Sequence, residues 1–244
     1  MNVVKIMGGL GNQLFQYAIG KHLEQFDSIG YDVSYYESSI NKDGSVPHRE
    51  FLLPLFVKGL IFVEQGDRER VNQWEYDHNK PYVNKYFFGD WQKAKFFKDV
   101  DLGIELKEKH IDKNAKETLK EILNNNSVAI HVRRTDYANF GWMLQRDYYL
   151  KAIDEICSRE EKPIFYIFTD DVQWCKDHLT AQIVHYDEIT DFYLMSHCKH
   201  QIIANSTFSF WAAYLNDNEN KKVVYPENWL CTSNPCEGLP WIGI

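Results

Sequence analysis

Apolar and polar positions follow two different rhythms along this chain. At the N-terminus Val3-Val4-Lys5-Ile6-Met7 reads as a short strand, and Gly8-Gly9-Leu10-Gly11 follows as a turn. From about Asn12 the spacing becomes helical: Leu14, Tyr17, Ala18 and Ile19 would share one buried face, with Asn12 as the N-cap. A second strand is expected over 31–36, which makes a β-turn-α-β opening. Residues 40–115 carry no clean period, and charge is mixed with aromatics, as in Tyr86-Phe87-Phe88-Gly89-Asp90-Trp91-Gln92. A Lys- and Glu-rich helix over 113–123 stops at Asn124-Asn125-Asn126, the best candidate for a domain boundary. Beyond it come four short apolar runs: Val128-Ala129-Ile130-His131-Val132, Ile164-Phe165-Tyr166-Ile167-Phe168, Gln201-Ile202-Ile203-Ala204 and Val223-Val224-Tyr225. Helical patterns lie between them. Buried strands alternating with helices predict an α/β fold, a parallel sheet covered on both faces, in domains 1–125 and 126–244.

In such sheets ligands bind beyond the carboxyl ends of the strands, and three of these runs end in polar clusters. The first is His131-Val132-Arg133-Arg134-Thr135-Asp136-Tyr137. Two guanidiniums at a strand exit suit a diphosphate, with Asp136 holding one of them; the competing reading is a surface Arg–Asp ion pair. The second, Asn205-Ser206-Thr207-Phe208-Ser209, opens a helix whose Phe208, Trp211, Ala212 and Leu215 form a buried face. Its amides and hydroxyls make an anion site or a plain cap. In the third, Thr169-Asp170-Asp171, the carboxylates could accept from a guanine edge or bind ribose hydroxyls, or cap the helix over 172–178. The turn carrying Gly9, Gly11 and Asn12 would let a ligand approach the backbone, or is only a tight turn; it fits neither the dinucleotide nor the P-loop spacing.

Composition narrows the partners. The chain has 244 residues, enough for one large domain or two small ones. With 27 basic against 35 acidic residues it carries a net −8, which argues against a nucleic-acid binder but leaves room for a local basic pocket. Aromatic residues reach 15%, so rings either fill the core or line a sugar- or base-binding cleft. No metal site is expected: Asp99-Val100-Asp101 follows no clear strand, His197 and His200 have no second ligand pair, and Cys231 and Cys236 are isolated. The odd count of five cysteines and the lack of a signal peptide or apolar span point to a reduced compartment. The expectation is a bacterial cytoplasmic protein with no integral membrane segment, either free or resting on the inner membrane.

These stretches, taken in order, resemble the α-1,2-fucosyltransferase family of bacterial type. The likeness runs nearly end to end, through 8–16, 89–92, 131–137, 169–175, 191–196, 203–215, Tyr225-Pro226 and Trp229. The resemblance implies an inverting enzyme that moves L-fucose from GDP-β-L-fucose to the 2-hydroxyl of a terminal β-galactoside. It also implies a glycosyltransferase-B-like architecture, two Rossmann-like domains with a cleft between them. The N-terminal domain would face the acceptor, and the C-terminal domain would bind GDP-fucose. No metal and no cofactor beyond the donor substrate are implied. Arg133 would contact the β-phosphate, with Arg134 beside it. His131 and Asp170 or Asp171 would lie near the guanosine. Asn205, Ser206, Thr207, Phe208 and Ser209 would cradle the diphosphate, and Gly9, Gly11 and Asn12 would face the cleft. Arg133, Asp136 and His131 are the expected catalytic set, with Asp136, His131 or Asp90 as the base, or a leaving phosphate oxygen in its place. Thr135, Phe210, Ala212 and Asp90 depart from the common family residues, which bears on acceptor preference. Two other classes stay open on the residues: another nucleotide-dependent α/β enzyme, and a non-catalytic sugar- or nucleotide-binding relative. The residues leave the oligomeric state undetermined.

Overall fold

The computed structural model describes residues 1–37, 49–229 and 233–244; Cys231 lies outside them. The chain forms two compact units, Met1–Glu105 and Leu106–Ile244. Among the described residues no helix is long and apolar enough to cross a membrane.

The first unit holds β1 (Asn2–Lys5), α1 (Leu10–Leu23), β2 (Ile29–Asp32), the single turn α2 (Ser34–Glu37), β3 (Glu69–Asn72) and β4 (Lys85–Phe88). The strands form one parallel sheet in the order β2-β1-β4-β3. The strand expected over 31–36 starts and stops earlier, because the Asp32 carboxylate accepts the Ser34 amide at 2.9 Å and turns the chain into α2. Helix α1 also opens earlier than expected. Gly9 occupies the cap position, so Asn12 lies within the first turn and is not the cap. Gly8 makes the entry possible with φ +81, a conformation that side chains disfavour.

Two buried glutamines on α1 hold this turn. Gln16 Oε1 accepts the Met7 amide at 2.8 Å. Gln13, fully buried, donates to the Gly8 and Glu50 carbonyls and accepts the Leu52 and Leu53 amides. The strands β3 and β4 were not legible in the sequence: Glu69 and Arg70 are exposed, and both segments lack a sustained apolar period. Rings from this stretch build the core instead. Trp91 is fully buried among Tyr76, Phe87 and Phe96, and takes a left-handed φ of +58 while Gln73 Oε1 accepts its amide.

The second unit runs α3 (Lys116–Asn124), β5 (Ser127–Val132), α4 (Arg146–Arg159), β6 (Ile164–Thr169), α5 (Val172–His178), β7 (Gln182–Val184), α6 (Glu188–His197), β8 (His200–Ile202), α7 (Thr207–Tyr214), β9 (Val223–Tyr225) and β10 (Ile242–Gly243). Its six strands are all parallel, in the order β10-β9-β8-β5-β6-β7. The division between units falls at Glu105, earlier than the Asn124-Asn125-Asn126 stop. Helix α3 belongs to the second unit: Thr118 hydrogen-bonds Tyr186 at 3.0 Å, and Asp112, just ahead of it, donates its amide to Thr190 Oγ1 at 2.8 Å.

Strand β5 is buried along its whole length. Alternation sends Val128, Ile130 and Val132 into a cluster with Tyr149, Ala152 and Ile156 of α4 and Cys175 of α5. Ser127, Ala129 and His131 therefore point to the other face, where α6 and α7 pack. His131 there meets the ring of Phe208 at 5.6 Å, and Phe208 meets Phe192.

Replacing Gln13 with Leu leaves two amides and two carbonyls without their buried partner. A loss of about 3 kcal/mol is expected for the N-terminal unit. Urea unfolding followed by tryptophan fluorescence reads it as a lower midpoint; an unchanged midpoint would contradict the stapling role.

Candidate functional site

In the second sheet the chain proceeds from β5 outward through β6 and β7, and returns on the other side through β8, β9 and β10. The direction reverses between β5 and β8, and crevices at such switch points take ligands. The residues beyond β5, β6 and β8 are those that the sequence singles out, so His131, Arg133, Arg134, Asp136, Asp170, Asp171 and the 205–209 segment gather at one sheet edge. Gly9, Gly11 and Asn12 lie in the other unit, at the exit of β1. There Asn12 Oδ1 accepts Gln92 Nε2 at 3.4 Å. Beyond the adjacent strand β4 is Asp90, whose carboxyl burial pushes above its ordinary pKa.

The two arginines do different jobs. Arg133 shares the face of His131, and Arg134 the opposite one, as strand alternation demands. The Arg134 guanidinium carbon lies over the Trp174 ring, 4.1 Å from its centre; Nε is 3.4 Å from Asp171 Oδ2, and Nη1 donates to the Leu144 carbonyl. These contacts fasten α5 to the exit of β5, the structural one of the two readings open to Arg134. Arg133 reaches Asp136 Oδ2 at 2.7 Å with Nη2 and Asp170 Oδ2 at 3.1 Å with Nη1, its guanidinium 5.8 Å from the Tyr137 ring centre. Burial opposes its charge, yet Asp136 and Asp170 more than offset this and hold its pKa above the ordinary value. A guanidinium has five N–H donors, so these two contacts leave others for an anion.

The carboxylates beyond β6 are committed within the protein. Asp170 accepts the Arg134 amide at 2.8 Å, the Thr135 amide at 3.3 Å and the Thr135 hydroxyl at 2.7 Å, besides Arg133. Asp171 Oδ1 accepts the Trp174 amide at 3.0 Å, which is the cap of α5. Of the two roles open to this pair, ligand and support, the hydrogen bonds in place are those of support.

The β8 exit holds the segment for which an anion site and a plain cap were the two readings. Ser206 occupies the cap position of α7, but its side chain makes no cap hydrogen bond, so the first amides of the helix are not taken by it. Ser209 turns inward and donates to the Ser206 carbonyl at 3.2 Å, which removes its hydroxyl from the expected cradle. Asn205 is 4% exposed; its amide nitrogen donates to the Trp142 carbonyl, its own carbonyl accepts from Tyr137, and its Oδ1 has no partner. His131 is 6% exposed and its Nδ1 likewise has no partner. A buried polar atom without a hydrogen bond is costly, and a polar ligand at these strand exits would pair both. Burial, with Arg133 beside it, pushes the His131 pKa down to about 3. The ring is therefore neutral at ordinary pH, fit to donate or accept a hydrogen bond but a weak base.

Asp191 opens the 191–196 stretch of the family likeness, with no role of its own assigned there. It sits in the first turn of α6, where Asp187 already serves as cap, and burial pushes its carboxyl up to about 7 while one oxygen accepts the Tyr186 amide. A carboxylate surplus to capping inside the apolar Asp191-Phe192-Tyr193-Leu194-Met195 run was the available signal. Of the rings, Trp91 is core, whereas Tyr137 lies beside Arg133 and Trp142 meets Tyr137 edge-on. Asp101 accepts the Gly103 amide in a turn, His197 stacks on Tyr193, and His200 accepts the Lys222 amide. Among the described residues no three His, Cys, Asp or Glu side chains gather as ligands for one ion.

Residues 1–233 match the sequence model of glycosyl transferase family 11. An α-1,2-colitosyltransferase of Escherichia coli is 28% identical, with 96% of each chain covered. The O-antigen biosynthesis glycosyltransferase WbnK of Escherichia coli is 30% identical over 94% of this chain and 95% of its own. The galactoside 2-α-L-fucosyltransferase Sec1 of Mus musculus is 26% identical over 100% of this chain and 74% of its own. In three dimensions the crystal structure of NodZ α-1,6-fucosyltransferase soaked with GDP-fucose has a similar fold, with a TM-score of 0.56 at 13% identity over 88% of this chain and 91% of that one.

The depressed His131 pKa has a thermodynamic consequence. The value falls from 6.5 to about 3 on folding, so below the ordinary value the unfolded chain takes up a proton that the folded chain refuses. The stability tied to the neutral ring is complete above the ordinary value and drains by about 1.4 kcal/mol per pH unit as pH falls towards the folded value. His131→Gln should flatten the acid side of a plot of melting temperature against pH; an equally steep acid side would refute the assignment.

Proposed function

Because the chain belongs to glycosyl transferase family 11 and is therefore a glycosyltransferase, we propose that it transfers L-fucose from GDP-β-L-fucose to the 2-hydroxyl of a terminal β-galactoside, with inversion. The observation that carries this reading is the placement of Arg133 on the same face as His131 and the uncapped start of α7, at the switch point between β5 and β8. The α-1,2 linkage is common to the names of the colitosyl- and fucosyltransferase relatives, while the sugar differs. The two parallel-sheet units are read as the two halves of a glycosyltransferase-B enzyme, the second holding the donor and the first assigned to the acceptor side.

The chemistry follows from charge. As the bond between the sugar and the β-phosphate breaks, negative charge gathers on the departing phosphate and positive charge on the sugar ring. Arg133 and the amides at the start of α7 stabilise the departing charge from fixed positions. Asp136 and Asp170 aim the guanidinium. Neutral His131, with Asn205 Oδ1, meets polar groups of the nucleotide. The acceptor proton passes to a β-phosphate oxygen as the acceptor oxygen bonds to the anomeric carbon. His131 is too acidic when protonated to serve as the base, and Asp136 is held by Arg133.

Arg133→Ala should lower turnover of GDP-fucose by about 10²–10³-fold, the cost of removing one preorganised donor. Arg133→Lys should restore only part of it, since an ammonium cannot hold both carboxylates in a fork. Circular dichroism should show both variants folded; turnover near that of the unsubstituted protein in Arg133→Ala would remove the proposal. Proton NMR of the product from lactose should show an α-linked fucose on the galactose O2, and any other linkage would overturn the regiochemistry. Transfer should persist in EDTA, because an arginine and helix amides face the diphosphate; loss reversed by manganese would contradict that.

A further inference from the structure

We propose that Phe140 and Trp142 form a stacking surface for the pyranose ring of the galactoside acceptor, so that the donor-binding unit itself holds part of the acceptor. The inference rests on the reading of the β5 exit as a site of glycosyl transfer, and on the following geometry.

The segment after Arg133 forms a short 3₁₀ helix, Asp136–Phe140, closed by Gly141 at φ +68. Phe140 and Trp142 stack with centroids 4.7 Å apart and planes 25° from parallel. Trp142 meets Tyr137 edge-on at 5.7 Å, and Tyr137 lies under the Arg133 guanidinium. An unbroken series of rings thus leads from the arginine that faces the departing phosphate to Phe140, which is 60% exposed. No other Phe, Tyr or Trp of the second unit is so open to solvent among the described residues.

The rings are held in place. The Ala138 amide donates to the Arg134 carbonyl at 2.9 Å and the Trp142 amide to the Tyr137 carbonyl at 3.1 Å. Asn205, from the β8 exit, ties both ends: its side chain donates to the Trp142 carbonyl and its carbonyl accepts the Tyr137 hydroxyl. An exposed ring on a segment held by these hydrogen bonds, in line with Arg133, is placed to meet a ligand at the strand exit. Its chemistry fits a sugar. One face of a galactose ring is a continuous patch of C–H groups that packs against an aromatic face, while its hydroxyls stay in water or reach polar neighbours. A nucleobase is read through hydrogen bonds to its edge, whereas the face that Phe140 offers is apolar and open to solvent.

The test uses the full chain and the variant Phe140→Ser, which alters an exposed ring and leaves the core untouched. GDP is titrated by calorimetry, lactose binding in the presence of GDP is followed by saturation-transfer-difference NMR, and transfer from GDP-fucose to lactose is measured kinetically. GDP should bind both proteins alike. Saturation of the galactose ring protons should be strong in the unsubstituted chain and lost in Phe140→Ser. The lactose KM should rise about tenfold against a smaller change in kcat. Trp142→Phe, which keeps a ring, should retain most of the lactose signal. The proposal is overturned by a lactose signal that persists in Phe140→Ser, or by none in the unsubstituted chain. It is equally overturned by a loss of GDP affinity in the variant, which would make the surface a nucleobase shelf, or by self-association that the variant abolishes. Failure of GDP to bind the unsubstituted chain would sink the donor reading instead, and the lactose NMR would still decide the stacking surface.

Discussion

Four donors converge on the Asp170 carboxylate: the amides of Arg134 and Thr135, the Thr135 hydroxyl and the Arg133 guanidinium. Strands β5 and β6 run parallel with Val132 beside Thr169, so the peptide groups just past Val132 have no further ladder partner. Asp170, one residue past β6, supplies the missing acceptors. It thereby fixes the path of the chain where it leaves the sheet, and with it the direction of every side chain through Tyr137. Thr135 contributes the shortest of these bonds, through its hydroxyl at 2.7 Å, and so tethers the chain by its side chain as well as its amide.

From this anchor the division of labour between the arginines follows without further assumption. Consecutive residues leaving a strand point to opposite faces. Arg134 must go to the α5 side, where Trp174 and Asp171 receive it; Arg133 must go to the α7 side, where Asp136 meets it. Capping of α5 by Asp171 completes the circuit, because the same carboxylate that holds the helix also faces Arg134. The strand exits, the helix cap and the cation–aromatic stack thus form one connected support whose open side presents a single guanidinium.

Much of the second unit was legible because its strands are short, apolar and buried, and their polar ends are abrupt. The runs at β5, β6 and β9 and the Asn205-to-Ser209 turn stood out for that reason. What local pattern could not convey is direction. Arg134, Asp170 and Ser209 have the residue types of ligand contacts, and only their place in the pleat or helix turn shows them bonded inward. The first unit was less legible because its sheet includes strands with exposed, charged positions, such as Glu69 and Arg70. Whether rings such as Trp91 fill the core or line a cleft was open in the sequence; the left-handed backbone that buries Trp91 against Tyr76 and Phe96 has no signature in a single sequence. Nor could spacing show that α1 begins at Leu10 with Gly9 as its cap, since the buried Gln13 and Gln16 that secure the turn read as ordinary polar positions.

The charge arrangement around Arg133 bears on catalysis in the proposed reaction. A free arginine would lose side-chain entropy on gripping a phosphate, about 0.5–1.5 kcal/mol for a rotamer-rich chain. Here Asp136 and Asp170 have already imposed the conformation. The same carboxylates repel an anion, so they weaken the grip on the ground-state diphosphate, whose charge is partly shared with the sugar bond. As that bond breaks, charge on the β-phosphate grows, and its attraction to the guanidinium and to the α7 amides grows with it, while the arginine needs no reorganisation. An interaction that is modest before bond cleavage and stronger during it is the kind that raises turnover rather than affinity. A cation left unpaired at the same place would bind the substrate and the departing GDP more tightly and gain less in rate, which is a physical reason for an acidic chain to keep its key arginine between two aspartates.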